Sequence, residues 1–175
     1  DVDSVSTSTN RKVIKSGYIE METKVFDQAI NEIVIRTSIA GGYVEGSNIT
    51  GRRINSKGSS ENRSASFKLR IPQSRFEDFL LEFGNIGNVI LNRSGGDDIT
   101  FRYYDNEARL KTLEIQEDRL LEILKKGEKV EDIIELEREL SNIRYEIENL
   151  TGTLKKWDDL ISYATLDVQV YEVQE

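Results

Sequence analysis

The chain has 175 residues, of which 37% are hydrophobic and 32% charged, and it contains neither Cys nor His. That length and apolar content suffice for one domain with a buried core. The lack of Cys excludes disulfides, thiolate nucleophiles and zinc–sulfur sites. The lack of His removes the commonest general base and the commonest transition-metal ligand. No cofactor is expected.

The formal net charge of −8 is spread unevenly. Residues 105–160 hold sixteen acidic and ten basic side chains, whereas the rest of the chain holds sixteen and fourteen. Nucleic-acid binding draws most of its affinity from Lys and Arg at phosphates, so the acidic segment argues against a nucleic-acid partner. No apolar run is long enough to span a bilayer, so any membrane attachment is expected from elements outside this sequence.

The first forty residues predict a leader, a strand and a helix. Residues 1–12 are rich in Ser and Thr and have few large apolar side chains, which predicts a flexible leader. Residues 13–23 carry β-forming side chains, which predicts a first strand. From Lys24 to Ile39 apolar residues recur at three- and four-residue steps, which predicts an amphipathic helix. Gly41 and Gly42 then end that helix.

The next segment predicts three more strands and a second helix. Residues 43–53 read as a strand, and a polar loop rich in Gly and Ser follows from Arg53. Residues 64–71 alternate apolar and polar side chains, as a half-buried strand does. A helix at 75–84 and a strand at 88–92 follow. The order β–α–β–β–α–β predicts a ferredoxin-like split βαβ sheet with both helices on one face.

A long helical segment separates these elements from a last strand at 163–173, which either adds to the sheet or replaces a weaker strand. Nine apolar residues within it step by three and four, which is typical of a coiled-coil seam. They are Ile133, Leu136, Leu140, Ile143, Ile147, Leu150, Leu154, Trp157 and Ile161. Upstream, Leu110, Leu113, Leu120 and Leu124 follow the same step, and the short connection 125–129 implies antiparallel neighbours.

The sequence therefore predicts an α+β sheet domain, 13–103 plus 162–173, with a long antiparallel coiled-coil hairpin inserted at 104–161 before the last strand. Glu117 occupies a seam position, where a carboxylate costs stability unless it is paired. It either pairs with Arg138 or Arg144 or extends to water. The apolar stripe of the second helix outlasts that of the first. Its excess therefore packs on the globular part or on a second copy.

The segment GGDDIT at 95–100 is the one stretch that suggests a metal. Asp97 and Asp98 offer carboxylates, but the alternate ligand spacing and the bidentate Glu of a calcium loop are missing. A tight turn explains the segment better. No phosphate-binding loop spacing and no nucleophile–base pair occurs. Neither a metal site nor a catalytic residue is predicted.

Three runs carry a family resemblance: LRIPQSRFEDFLLEFGNIGNV (69–89), DDITFRYYDNEARLKTLEIQEDRLLEIL (97–124) and EDIIELERELSNIRYEIENLTGTLKKWDDLISYATLDVQV (131–170). Their pattern combines a strand ending in R-[IV]-P, a helix entrance beginning D-[IV]-T, and E-x-E-L-x-x-x-R-x-E-I-E with a later Y-x-T-[IL]. It resembles the bacterial domain of unknown function 4349 over roughly residues 12–173.

The resemblance implies a bacterial envelope protein. Members usually carry an N-terminal lipoprotein or signal segment and often a C-terminal transmembrane helix, and some resemble anti-sigma factors. A chain that starts at Asp1 without Met and ends at Glu175 is expected of a segment between two such elements. The resemblance supplies no catalytic residues.

Two functions stay open at this point. The favoured one is a non-enzymatic, extracytoplasmic, membrane-anchored domain. Its projecting acidic hairpin would meet a protein partner or another copy, in interaction, assembly or signalling. The candidate interface residues are Arg119, Glu122, Glu135, Arg138, Leu154 and Trp157. The alternative is a ligand-sensing module that binds a small molecule or cell-wall fragment on the open sheet face, beside a basic loop at Arg52, Arg53 and Lys57. An enzyme ranks third.

Overall fold

The structure is a computed structural model that describes residues 10–51 and 62–174. It is a mixed α+β fold with a five-stranded sheet and four α-helices among the described residues. The strands are β1 (Val13–Thr23), β2 (Tyr43–Thr50), β3 (Ser64–Pro72), β4 (Asn88–Asp98) and β5 (Tyr163–Glu172). The helices are α1 (Phe26–Ile39), α2 (Phe76–Glu82), α3 (Thr100–Lys126) and α4 (Val130–Ser162).

The last strand lies in the middle of the sheet, whose order is β2-β3-β5-β1-β4. β5 runs parallel to β1 and antiparallel to β3, and β2 runs antiparallel to β3. Of the two roles that the sequence left open for this strand, it adds a fifth strand and replaces none. Alternate residues of β5 are apolar and buried on one face of the sheet, as its alternating sequence predicts.

The core lies on one face of the sheet. Ala164, Leu166, Val168 and Val170 of β5 are buried there, while the intervening residues are half-buried or exposed. Apolar residues of β1, β3, α1 and α2, and Phe83 just after α2, complete the cluster. They are Ile19, Met21, Phe26, Ile33, Ala65, Phe67, Leu69, Ile71, Phe76, Phe79, Leu80 and Phe83. The opposite face of the sheet is left for polar side chains.

The predicted glycine end of α1 is confirmed. Gly42 N–H donates to the Thr37 carbonyl at 2.9 Å and Gly41 N–H to the Ser38 carbonyl at 3.0 Å, which is the Schellman arrangement. Gly41 has a φ of 82°, a conformation that side chains rarely adopt. A Cβ at position 42 would lie 2.3 Å from the Arg70 carbonyl oxygen. Only a glycine pair therefore lets β2 start this close to β3.

The largest departure from the predicted elements is at GGDDIT. The tight-turn interpretation is wrong, because β4 continues through Asp98 and α3 starts at Thr100, ahead of the predicted start of the helical hairpin at residue 104. β4 is the edge strand next to β1 in the sheet order, and its last residues are exposed. Gly and Asp are poor strand formers, but an exposed edge does not require apolar packing of them.

The described residues form two compact units. The sheet unit consists of residues 14–51, 62–97 and 160–174, and the helix unit consists of residues 10–13 and 98–159. The division into domains drawn from the sequence stays a prediction. Residues 1–9 of the predicted leader, and Arg52, Arg53 and Lys57 of the predicted basic loop, lie outside the described residues.

Candidate functional site

The predicted seam residues of the helix unit point away from water. Leu140 and Leu154 of α4 are buried, and the other seven residues of the α4 stripe are half-buried. In α3, Leu113 is buried and Leu110, Leu120 and Leu124 are half-buried. Most residues between them are exposed. One stripe on each helix therefore carries the apolar burial of this unit.

Glu117 is paired. Arg144 Nε donates to its carboxylate at 3.3 Å, and the two side chains are 26% and 56% exposed for Glu117 and Arg144 respectively. Of the partners that the sequence allowed, the structure therefore selects Arg144. A second ion pair, Arg109 with Glu146 at 4.0 Å, also joins α3 to α4. Pairs this exposed contribute below about 1 kcal/mol each.

The Asp98 carboxylate binds Thr100, the first residue of α3. It accepts from the Thr100 N–H at 3.0 Å and from the Thr100 hydroxyl at 2.5 Å, and Arg11 lies 3.0 Å from it. The hydrogen bonds from Thr100, followed by the charge of Arg11, lower the pKa of Asp98. Lys12 N–H donates to the Thr100 hydroxyl at 2.8 Å, which ties the end of the predicted leader to the helix start. Within 10–51 and 62–174, no group of three acidic residues could hold a metal ion.

The two apolar interface candidates lie inside the helix unit. Leu154 is buried, and Trp157 is half-buried with its ring centroid 6.4 Å from that of Tyr103. The Tyr103 hydroxyl donates to Asp158 at 2.6 Å, and this bond, followed by burial and the nearby negative charge, raises the pKa of Tyr103 to about 12. Part of the apolar excess of α4 is thus covered by an aromatic residue at the start of α3.

The four charged interface candidates are all exposed: Arg119, Glu122, Glu135 and Arg138. Glu122 lies 3.9 Å from Lys125, and Glu135 lines a cavity of about 640 Å³ beside the α3–α4 connection. Sequence reasoning missed Ile123, which also lines this cavity, and two exposed aliphatic side chains at the start of α4. Ile123, Val130 and Ile134 are 52%, 70% and 55% exposed. The signal was available, because they are aliphatic residues at positions off the seam.

We call these seven residues the turn surface. Its members are Arg119, Glu122, Ile123, Val130, Ile134, Glu135 and Arg138. They combine exposed aliphatic side chains with charges of both signs. Such a combination can bury apolar area and form polar contacts at its edge, as protein interfaces do.

A second candidate site lies on the polar face of the sheet. Cα partners place Lys68 opposite Asp167 and Ser66 opposite Gln169, and β1 adds Tyr18 opposite Asp167. With Asn48 and Gly46 of β2, these residues line a cavity of about 280 Å³. We call this the sheet-face cavity. It lies on the face where the sequence placed the alternative ligand site.

Two features shape the sheet-face cavity. The Tyr18 hydroxyl donates to Glu20 at 2.6 Å, which raises the pKa of Tyr18, and the Arg93 guanidinium lies 5.3 Å from the centre of its ring. These contacts hold the ring in place as a wall. At Gly46 an added Cβ would meet no atom within 4 Å. The missing side chain therefore leaves open space beside Lys68.

The elements described above define a mixed α+β fold. Among the described residues, no group of His, Cys, Asp and Glu side chains could hold a metal ion. The chain belongs to the family described as Domain of unknown function (DUF4349), whose model matches residues 11–175 and confirms the resemblance seen in the motifs. No curated protein and no solved structure matches the chain. None of the helices in the described ranges has the length and apolar character needed to cross a bilayer.

Proposed function

We propose that this domain is a non-enzymatic, extracytoplasmic module of a membrane-anchored bacterial protein and that it binds a protein partner through the turn surface. The bacterial envelope location is the one implied by the motif resemblance. We also infer a ferredoxin-like split βαβ arrangement, in which β5 is inserted between β1 and β3. In this proposal, α3 and α4 are the two legs of an antiparallel coiled-coil hairpin.

The order of the contacts between α3 and α4 supports the hairpin. Residues 103, 109 and 117 of α3 pair with residues 158, 146 and 144 of α4. Partners that fall in number on one helix as they rise on the other are expected of antiparallel neighbours. At about 1.5 Å per residue, legs of this length extend roughly 40 to 50 Å. Such legs offer far more surface than their own stripe buries.

The observation that carries the proposal is the exposure of Ile123, Val130 and Ile134. Single exposed aliphatic residues need no explanation, but these three all fall within residues 123–134, at the two helix ends that the connection joins. We infer that they contribute to one interface, because exposed apolar surface rimmed by polar residues marks protein interaction sites. Arg119 and Arg138 supply the residue type that most often carries binding energy at such sites.

The charge of this region favours a protein over other macromolecules. Between residues 105 and 160 acidic side chains outnumber basic ones by sixteen to ten. This excess repels phosphate backbones and anionic lipid headgroups. A partner with basic residues around an apolar contact fits best, because it matches both the charge and the exposed aliphatic side chains.

Site-specific photo-crosslinking in intact bacterial cells tests the proposal. A photoreactive residue at Ile134, and separately at Ile123, is expected to give a covalent adduct with a second polypeptide. The matched control carries the probe at Leu81, which is 77% exposed in the sheet unit and should give no such adduct. Adding Glu122→Lys and Glu135→Lys to the Ile134 probe should abolish the adduct, because both substitutions place a cation where a basic partner would meet an anion.

The outcomes separate the alternatives. An adduct with a different protein supports partner binding, and an adduct of twice the mass of the protein that carries the domain assigns the surface to self-association. Adducts that form equally at Leu81, or none from either turn-surface position, would contradict the proposal. Protease accessibility of the same cells before and after permeabilisation checks the extracytoplasmic location separately.

The sheet-face cavity favours a second candidate function, a ligand-sensing module. The cavity that supports this function does not involve the helix unit, because every residue that lines it belongs to the sheet unit. Small-molecule sites use a few convergent polar groups to fix the orientation of the ligand, and this cavity supplies such groups.

A further inference from the structure

We propose that the sheet-face cavity binds a small zwitterion, either an α-amino acid or a short peptide. The proposal is independent of partner binding at the turn surface. It rests on the ligand-sensing alternative and gives that alternative a ligand class.

The floor of the cavity carries one cation beside one anion. Lys68 and Asp167 are Cα partners on antiparallel strands, so their side chains leave the same face of the sheet about 5 Å apart. They are also the two charged residues among the ten that line the cavity. Within the part of the chain that the structure describes, neither takes part in an ion pair. Both charges are therefore available to a ligand.

This arrangement matches a ligand that carries both charges. The carboxylate of an amino acid can accept from the Lys68 ammonium while its own ammonium donates to Asp167. Hydrogen bonds between charged groups are roughly twice as strong as neutral ones. A simple anion would gain the first contact but would be repelled by Asp167, and a simple cation would meet the reverse. Selectivity for a zwitterion follows from the adjacency of the two groups.

The walls supply neutral hydrogen-bonding groups. Ser66 and Gln169 are Cα partners in the next row of the sheet, and Asn48 is the partner of Ser66 on β2. Hydroxyl and amide side chains both donate and accept, so they suit the backbone amide of a peptide ligand. Tyr18 closes the β1 side. The open space at Gly46 leaves an entrance on the β2 side.

The size of the cavity limits the ligand. Its volume of about 280 Å³ is at the low end of small-molecule sites, which run from about 300 to 1,000 Å³. One amino acid or a dipeptide fits this space, whereas a longer polymer would extend beyond the polar rows. A shallow polar site of this kind is expected to bind weakly, with Kd on the order of 1 mM.

NMR titration of the whole chain, with amide shifts as the readout, tests the proposal. Glycine and alanyl-alanine are expected to shift amides of residues 46–48, 66–68 and 167–169 in a saturable way. Acetate and methylammonium, which each carry one of the two charges, should bind about tenfold or more weakly. Glucose, a neutral polyol of similar size, should give no saturable shift.

Charge variants separate the ligand classes. Lys68→Met and Asp167→Asn should each weaken glycine binding about tenfold, since each removes one charge-assisted contact. The double exchange Lys68→Asp with Asp167→Lys should restore binding to within about threefold, because a zwitterion can bind in the reversed orientation. Lys155→Met, at an exposed lysine of the helix unit, is the matched control and should change nothing. Retained amide dispersion verifies the fold of each variant.

Three results would overturn the proposal that the cavity binds a zwitterion. Acetate that binds as well as glycine and is insensitive to Asp167→Asn would make this an anion site. Glucose that binds regardless of the charge exchange would retain a ligand-sensing module with a neutral ligand. An absence of saturable shifts with every probe would end both this inference and the ligand-sensing alternative, while partner binding at the turn surface would be untouched.

Discussion

The two units of this chain are stabilised in different ways. The sheet unit buries sixteen residues in one cluster between its strands and helices. In the helix unit, the buried apolar residues among those described are Ile99, Tyr103, Leu113, Leu140 and Leu154. Burial contributes about 25 cal/mol per Å² of apolar surface, so stabilisation of the sheet unit rests on many mutually packed side chains. Stabilisation of the helix unit rests on one narrow stripe.

The ion pairs of the sheet unit are also stronger than those of the helix unit. In the sheet unit, Arg63 bonds both carboxylate oxygens of Glu172, at 3.0 and 3.1 Å, and reaches Asp27 at 2.9 Å. Its guanidinium also lies 4.6 Å from the centre of the Phe26 ring. A bidentate, part-buried arrangement is strong and directional. The Arg109–Glu146 and Arg144–Glu117 pairs of the helix unit are more exposed and therefore weaker.

The largest effect is expected from Phe83→Ala in the sheet unit. Phe83 is 0% exposed and packs edge-to-face on Phe79 with ring centroids 5.3 Å apart. Truncation leaves a cavity among fully buried neighbours, and we expect a loss of about 3 to 5 kcal/mol in the free energy of unfolding. Native-state exchange of the β5 amides measures this loss. A value below about 1 kcal/mol would show that the core collapses onto the site.

The matched substitution in the helix unit is Leu140→Ala. Leu140 is 6% exposed, but it packs only within the narrow apolar stripe, whereas Phe83 lies in the larger core of the sheet unit. The expected loss in the free energy of unfolding is therefore about 2 kcal/mol. Trp157, the only tryptophan, lies in this unit and reports its urea unfolding by fluorescence. Ile134→Ala on the exposed side of α4 is the control and should shift stability by less than about 0.5 kcal/mol. Equal losses from Phe83→Ala and Leu140→Ala would remove the contrast between the units.

Regular sequence patterns made much of this architecture predictable. The prediction failed at the exposed edge of the sheet, where the pattern of β4 is weak. β1 was predicted at its observed limits because β-formers such as Ile14, Tyr18 and Ile19 recur along it. The seam residues were predicted because a repeat of three and four leaves a helix one buried face. The end of β4 was missed because Gly95 to Asp98 have turn propensity, which pairing at the sheet edge overrides.

The candidate sites were less predictable than the fold. The charged residues of the turn surface were predicted from helix position alone, but Ile123 and Ile134 were overlooked because they fall off the seam. The sheet-face cavity was beyond sequence reasoning. It depends on the register that aligns Lys68 with Asp167, and that register requires the last strand to enter the sheet between β1 and β3.

A smaller effect within the helix unit is expected at Tyr103. Its pKa is raised to about 12, first by its hydrogen bond to Asp158, from an ordinary value of 10.0. The stabilisation is therefore complete below about pH 10 and is lost as the pH rises through about 12, where a tyrosinate would face a carboxylate. Tyr103→Phe should cost about 1 kcal/mol at pH 8. The difference in urea midpoint between wild type and this variant should shrink from pH 9.5 to about 11.5.

A control isolates this titration from that of the other tyrosines. Tyr145 is 67% exposed in the same helix unit, so Tyr145→Phe should leave the wild-type pH profile unchanged. If Tyr103→Phe keeps the same difference from wild type across the whole range, then the bond to Asp158 does not control the alkaline loss of stability.

The smallest effect concerns Glu117, the polar member of the α3 stripe. Its pair with Arg144 is part-exposed, so Arg144→Ala should cost below about 0.5 kcal/mol by Trp157 fluorescence. Glu117→Leu should instead stabilise the unit by about 0.5 to 1 kcal/mol, because an apolar side chain completes the stripe and Arg144 can extend to water. Destabilisation by Glu117→Leu would mean that the ion pair contributes more than the apolar contact.

Measuring the mass of Glu117→Leu by light scattering tests whether Glu117 also controls self-association. Polar residues in a coiled-coil stripe commonly specify which helices pair, at a cost in stability. If Glu117→Leu is more stable and keeps the wild-type mass, the carboxylate is dispensable for specificity and only weakens the stripe. A more stable variant that doubles in mass would show that Glu117 prevents self-association through this stripe. The weaker unit would then owe part of its low stability to the need to keep its surface for a different partner.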